Sequence, residues 1–197
     1  MEKTVEIEQV HFRNVKKIAV LSDTHVPDRC REIQKELFAV LENEKVDLIL
    51  HAGDICTNRV LIQLNIIAPT VAVRGNRDLV FRNKLPWHCD VQINDKFHIG
   101  LTHGHGSWKS YWIDKFKHMF IGYQFERYRN ITKLLFPEAN VIVFGHTHEA
   151  ELKMDGNVLF LNPGSTCGKE MEEGKRRRTI AVLDVCQKRI EGRILDL

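Results

Sequence analysis

Seven side chains able to bind a metal ion stand in five short motifs of this chain. Asp23 and His25 lie in Asp23-Thr24-His25, Asp54 follows Gly53, and Asn76 sits in Gly75-Asn76-Arg77-Asp78. His103 lies in Thr102-His103-Gly104-His105, and His146 and His148 close the set in Gly145-His146-Thr147-His148. Together they offer enough oxygen and nitrogen ligands for two ions. Carboxylate, amide and imidazole donors without a thiolate suit manganese first, and also iron, zinc or nickel. If Asp23 ends a strand and the next turn swings outward, Asp23 and His25 can reach one ion. Gly53 lets the backbone turn tightly enough to project Asp54 between two ions. A carboxylate shared in that way holds a pair ~3.5–4 Å apart, the separation of two-metal hydrolysis. Singly, the D-x-H and G-D pairs recur by chance. G-H-x-H after an apolar run is stronger, since two histidines in one tight loop seldom serve packing.

The elements that must position these residues are strands ending at the motifs. Residues 17–22 form a short β-branched apolar run that stops at Asp23, and residues 31–43 carry Ile33, Leu37, Val40 and Leu41 at helical spacing. The grammar repeats: residues 46–50 run into Gly53-Asp54, a helix follows through Val60, Leu61, Leu64 and Ile67, and residues 70–73 run into Gly75-Asn76. Strands alternating with helices predict parallel pairing, with a site beyond the carboxyl ends of the strands. After Pro86 hairpins take over, one over residues 91–99 turning at Asn94-Asp95 and leading to His103. Residues 141–144 form a buried strand ending at Gly145-His146. Residues 151–154 and 158–161, joined at Asp155-Gly156, and residues 179–185 with 189–195 are further hairpins. The fold class this predicts is α/β, a two-sheet β-sandwich flanked by helices. All 197 residues read as one domain.

A net charge of +3 gives no case for nucleic acid by itself. Most of the local excess is Lys175-Arg176-Arg177-Arg178, read as a solvated loop or strand lead-in. Cys30, Cys56, Cys89, Cys167 and Cys186 are odd in number and form no C-x-x-C pair. They fit neither a disulfide framework nor a thiolate zinc site, so a reducing, cytoplasmic setting is expected. No apolar stretch approaches the ~20 residues that span a bilayer, so no membrane association is expected. Residues 107–137 mix Trp108, Tyr111, Trp112, Phe116 and Phe120 with lysine and arginine, a helical segment over about 111–135 with a break at Gly122. Its aromatics either pack on their own domain or leave a patch for a lid or a homodimer. His51, at a strand end, reads as a buried structural histidine. His11, His88, His98 and His118 match no motif.

The order D-x-H, G-D, G-N-x-D, G-H, G-H-x-H over residues 18–165 resembles the calcineurin-like metallophosphoesterase superfamily. The Asn162-Pro163-Gly164-Ser165 turn and the lack of large insertions make the chain most similar to the small stand-alone phosphodiesterase branch. The resemblance implies an αββα four-layer fold. It implies one ion on Asp23, His25, Asp54 and His148, and a second on Asp54, Asn76, His103 and His146. It implies hydrolysis of a phosphate ester, a small or generic phosphodiester foremost, by a hydroxide that two cations activate. Many larger members carry histidine where this chain has Arg77. Arginine stays charged, a poor proton donor but a good clamp for phosphate oxygens, so Arg77 is expected to stabilise charge. Asp78 would pair with Arg77 or brace the loop. His105 would orient a ligand or touch phosphate, or is a plain loop histidine. Alternatives are a non-catalytic interaction scaffold of the same fold, a nuclease, disfavoured without a basic stripe, or a monoesterase.

Overall fold

The computed structural model describes residues 6–79, 84–104, 125–170 and 176–197. Its first half comprises β1 (Glu8–Phe12), β2 (Lys17–Leu21), α1 (Lys35–Glu44), β3 (Leu48–His51), α2 (Asn58–Ile67) and β4 (Thr70–Ala72). Then come β5 (His88–Ile93), β6 (Phe97–Thr102), α3 (Phe125–Leu135), β7 (Val141–Val143), β8 (Ala150–Asp155) and β9 (Val158–Pro163). A short ribbon of β10 (Lys169–Glu170) and β11 (Arg176–Arg177) precedes β12 (Thr179–Val185) and β13 (Ile190–Asp196).

The long strands form two sheets, one of six strands in the order β1-β5-β6-β7-β9-β8 and one of five in the order β13-β12-β2-β3-β4. Within the five-stranded sheet β2, β3 and β4 run parallel, and within the six-stranded sheet β6, β7 and β9 do. The predicted two-sheet sandwich flanked by helices is therefore what forms. Alternation along each strand explains the layering, because successive side chains point to opposite faces. From β2, Ile18 and Val20 enter the core between the sheets, where they meet Val91, Ile99, Leu101, Val143 and Leu161. Ala19 and Leu21 face the other way, onto Leu37 and Leu41 of α1 and Val60 and Leu64 of α2. On the outer face of the six-stranded sheet, Ile142, Phe144 and Phe160 pack with Phe136 just past α3. Each fully buried leucine or isoleucine removes enough apolar surface to contribute about 2 kcal/mol. A strand buried on both faces, such as β3 with all four residues inside, is apolar up to its last residue, His51, which is why the motif-bearing runs read so cleanly.

Three details differ from the sequence reading. The strand β1 was not expected; it pairs parallel with β5 at the sheet edge, and its exposed Glu8, Gln9 and His11 hide the alternation. The first helix begins at Lys35 and not at residue 31, since Gln34 is extended (φ −67°, ψ 139°) and the residues before it form the loop that follows His25. Cys30 and Cys167, 137 residues apart, form a disulfide with a Cα separation of 5.9 Å, which overturns the expectation that no pair would form. The fold joins the loop after β2 to the turn after β9, a proximity that counting and spacing cannot show. The hairpin turns follow the sequence: Asn94 (φ 55°) and Asp95 (φ 54°) occupy left-handed conformations that Asn and Asp tolerate, and the Asn94 amide bonds both N–H and C=O of Val15. Among the described residues, no helix is long and apolar enough to cross a membrane.

Candidate metal centre

The parallel strands of both sheets point their carboxyl ends at one place, and the ladder hydrogen bonds continue past the strand ends to fix the loops there. Asp23 N–H donates to Gly53 O (3.0 Å) and His25 N–H to Asp54 O (2.9 Å), so the first two motifs are zipped together through their backbones. Across the sandwich, His146 N–H donates to Asp23 Oδ2 (3.0 Å), and Gly145 N–H to His103 O (3.4 Å). The motif glycines permit this crowding. A Cβ on Gly75 would lie 2.1 Å from Asp54 Oδ1, and one on Gly145 would lie 2.0 Å from Ser22 Oγ.

All seven expected ligands meet here. Asp23 Oδ1 lies 3.1 Å from His148 Nε2 and 3.5 Å from His25 Nε2, and those two imidazole nitrogens are 3.2 Å apart. Asp54 stands between two groups of donors: Oδ2 is 3.8 Å from His25 Nε2, and Oδ1 is 3.5 Å from His103 Nε2. On that second side Asn76 Oδ1 lies 3.2 Å from His103 Nε2 and 3.1 Å from His146 Nδ1. Two triads, Asp23 with His25 and His148, and Asp23 with Asp54 and His103, each hold their ligand atoms within 4.8 Å of one another.

Three features fit this donor set to cations. Asp23 Oδ1 is fully buried and accepts no hydrogen bond, although two imidazole nitrogens lie 3.1 and 3.5 Å away. A buried carboxylate oxygen without a donor costs several kcal/mol unless a positive charge meets it. His103 Nδ1–H donates to the carbonyl oxygen of Ala52 (2.6 Å), which leaves Nε2 as the ring nitrogen that faces Asp54 and Asn76. The backbone also concentrates here conformations that side chains other than glycine rarely adopt. Asp23, His25, Asp54, His146 and His148 all have φ between 49° and 73°. Each such residue costs about 1 kcal/mol or more, a cost that persists when the surroundings fix it for a function.

The electrostatics match a centre built to hold positive charge. Burial raises the carboxyls of Asp23 and Asp54, but the adjacent imidazoles of His148 and His25 hold Asp23 well below the usual range, and the His103 charge holds Asp54 below it. Burial pushes the His103 imidazole down, yet Asp54 outweighs it and lifts the group to about 9. Burial and then the neighbouring His103 push His146 down to about 4, so it stays a neutral donor. Cys56 lies 3.9 Å from His25 Nδ1, but burial and the carboxylates of Asp78 and Asp54 push its thiol up to about 12, so it offers no thiolate.

The outer residues resolve the alternatives left open by the sequence. Asp78 does not pair with Arg77; it braces the loops. It is fully buried and accepts the backbone N–H groups of Asp54 (2.9 Å), Ile55 (2.7 Å), Cys56 (2.6 Å) and Gly75 (2.8 Å), tying the second motif to the third. Arg77 instead pairs with Asp28, 2.6 Å from Nη2 to Oδ2, while its backbone N–H donates to Asp54 Oδ1 (2.8 Å). His51 is buried as expected, 2.5 Å from Thr24 Oγ1, with burial pushing it down to about 3. His105 and the aromatic residues 107–124 lie outside the described residues, as does Lys175.

Supporting residues that the sequence reading missed are polar groups beside the motifs. Ser22 Oγ donates to Asp23 Oδ2 (2.6 Å), and Ser165 Oγ to Asp23 O (2.8 Å). Asn162 donates to Gly145 O (3.1 Å) and Thr147 Oγ1 (2.9 Å), holding the last motif in place. The Asn162-Pro163-Gly164-Ser165 turn was the available signal, and its task is to clamp the first and last motifs.

Comparisons with known proteins agree with this architecture. The family model described as the calcineurin-like phosphoesterase superfamily domain matches residues 17–188. A "probable metallophosphoesterase" of Methanothermobacter thermautotrophicus is 32% identical over 148 residues, covering 75% of this chain and 76% of the relative. The phosphodiesterase MJ0936 of Methanocaldococcus jannaschii is 27% identical over 168 residues, covering 77% of this chain and 85% of that protein. Among solved structures, wild-type Vps29 of Entamoeba histolytica complexed with zinc superposes with a TM-score of 0.66 at 22% identity, covering 91% of this chain and 98% of that one, a likeness of fold.

Proposed function

This chain belongs to the calcineurin-like phosphoesterase superfamily, and from that premise we propose that it hydrolyses phosphodiesters at a centre of two divalent cations. The observation that carries the reading is the place of Asp54, whose two oxygens face separate sets of nitrogen donors beside the buried, unbonded Oδ1 of Asp23. Asp23, His25, Asp54 and His148 would hold one cation, and Asp54, Asn76, His103 and His146 the other. When bound, such a pair polarises phosphoryl oxygens and makes nearby water acidic enough to attack near neutral pH. Manganese leads the assignment, and iron, zinc or nickel suit the same donors. The named phosphodiesterase among the relatives supports a diester substrate.

The rest of the chemistry belongs to the chain. His103 Nδ1–H donates to Ala52 O, which orients that ring, and Ser22 fixes the second oxygen of Asp23. Arg77, fixed by its backbone bond to Asp54, would grip phosphoryl oxygens as charge grows on them, and with no proton to give it leaves the leaving group to depart as an anion. Phenolate-type leaving groups should therefore be favoured. Chelator should abolish hydrolysis of bis(4-nitrophenyl) phosphate and added manganese should restore it; hydrolysis that survives exhaustive chelation sinks the proposal. The rival reading is a non-catalytic interaction scaffold of the same fold. Fully metal-loaded protein that turned over neither diesters nor monoesters would favour it.

A further inference from the structure

Asp28 stands in the tight turn after the first motif, where the N–H groups of Arg29 and Cys30 both bond His25 O. Its carboxylate belongs to a cluster with His25 and Cys56 whose ligand atoms lie within 4.8 Å of one another, so it is at the rim of the centre. From there it reaches Arg77 on the third motif, with 2.6 Å between Oδ2 and Nη2 and side chains 37% and 42% exposed. Arg77 is anchored at its other end by the bond from its N–H to Asp54 Oδ1. The ion pair thus bridges two ligand-bearing loops beside the carboxylate proposed to lie between the cations.

We propose that Asp28 sets which substrate charge the site prefers, by offsetting part of the Arg77 charge so that a phosphodiester monoanion is favoured over a monoester dianion. The inference rests on the phosphoesterase reading and on Arg77 meeting phosphate. Arg77 cannot shed its proton, so the chain itself can moderate its field only with a fixed negative partner. The attraction between that field and a substrate scales with the substrate's charge. Removing the Asp28 charge therefore helps a dianion about twice as much as a monoanion, as Coulomb energy is linear in charge. Solvent at this half-exposed rim keeps the effect moderate. The guanidinium fork has five N–H donors, so an ion pair through one nitrogen leaves the geometry for gripping phosphate intact.

The test compares kcat/KM for 4-nitrophenyl phosphate and bis(4-nitrophenyl) phosphate, which share a leaving group, on manganese-loaded protein. At about pH 8 the monoester is dianionic, its second pKa being about 6. Asp28→Asn should raise the monoester-to-diester ratio about tenfold, equivalent to about 1.4 kcal/mol. Asp28→Glu should keep the original ratio, and Arg77→Gln, which removes the opposite charge, should lower it. As a binding readout, Asp28→Asn should strengthen inhibition by inorganic phosphate, a dianion, more than it strengthens inhibition by dimethyl phosphate, a monoanion. Metal content measured on every variant separates lost charge selection from lost cations. A ratio that Asp28→Asn leaves unchanged or lowers, or one that Arg77→Gln leaves unchanged, overturns the proposal. If Arg77→Gln leaves both rates untouched, the role of Arg77 and this inference fall while the phosphoesterase reading stands. A wild-type protein that hydrolyses neither ester ends both.

Discussion

Asp78 and Arg77 are neighbours in sequence with opposite tasks in space. Asp78 turns inward to receive four backbone N–H groups from two loops, while Arg77 turns outward to Asp28. Burial raises the Asp78 carboxyl, against the pull of the bonds from Cys56 and Gly75, so the fold holds a costly group for the sake of those bonds. Removing it strands buried donors, each at a cost of about 1–3 kcal/mol. Asp78→Ala should accordingly destabilise the protein by roughly 3 kcal/mol or more and lower its metal affinity, measurable by urea unfolding and metal titration. A variant as stable as the wild type would show that these loops stand without it. Neither partner could be chosen from sequence. G-N-R-D shows that an acid follows a base, but which partner each one meets depends on the direction its side chain leaves the loop.

At the scale of elements, the strands that carry ligands were legible because burial on both faces forces a continuous apolar run that must end where polar groups begin. β2, β3 and β7 are of this kind, and their ends are the motifs; β6, with half-buried His98, was legible instead as an arm of a hairpin leading to His103. Edge elements were less legible. β1 has only partial burial to pattern it, and α1 starts late because the segment before it serves the loop. The Cys30–Cys167 bridge is the extreme case, since it depends wholly on tertiary proximity. It covalently repeats what hydrogen bonds already do, for Cys167 N–H and Ser165 Oγ both bond Asp23 O. Closing so long a loop stabilises by about 2–4 kcal/mol, through the entropy it removes from the unfolded chain. A Cys30→Ser/Cys167→Ser protein, or the wild type under strong reductant, should unfold at a lower temperature in calorimetry. An unchanged midpoint would mean the bridge contributes nothing to the folded state.

For the whole molecule, two sheets whose parallel strands end together gather residues from position 23 to position 148 into a centre only a few ångströms across. The order of motifs revealed that gathering before any coordinates, because each fell at the end of an expected strand. What the sequence did not reveal was the machinery that makes it rigid: left-handed backbone at five of the ligands, glycines removed of side chains so that loops can touch, and serine and asparagine clamps behind them. The central claim is that Asp54 is shared between two cations. The most direct measurement is the number of divalent ions bound per chain after loading with manganese and removal of free metal, by elemental analysis, for the wild type and for Asp54→Asn. The account predicts two ions per wild-type chain and a loss of metal in the variant. A wild-type chain that retains no metal, or an Asp54→Asn chain that still holds both ions, would contradict it.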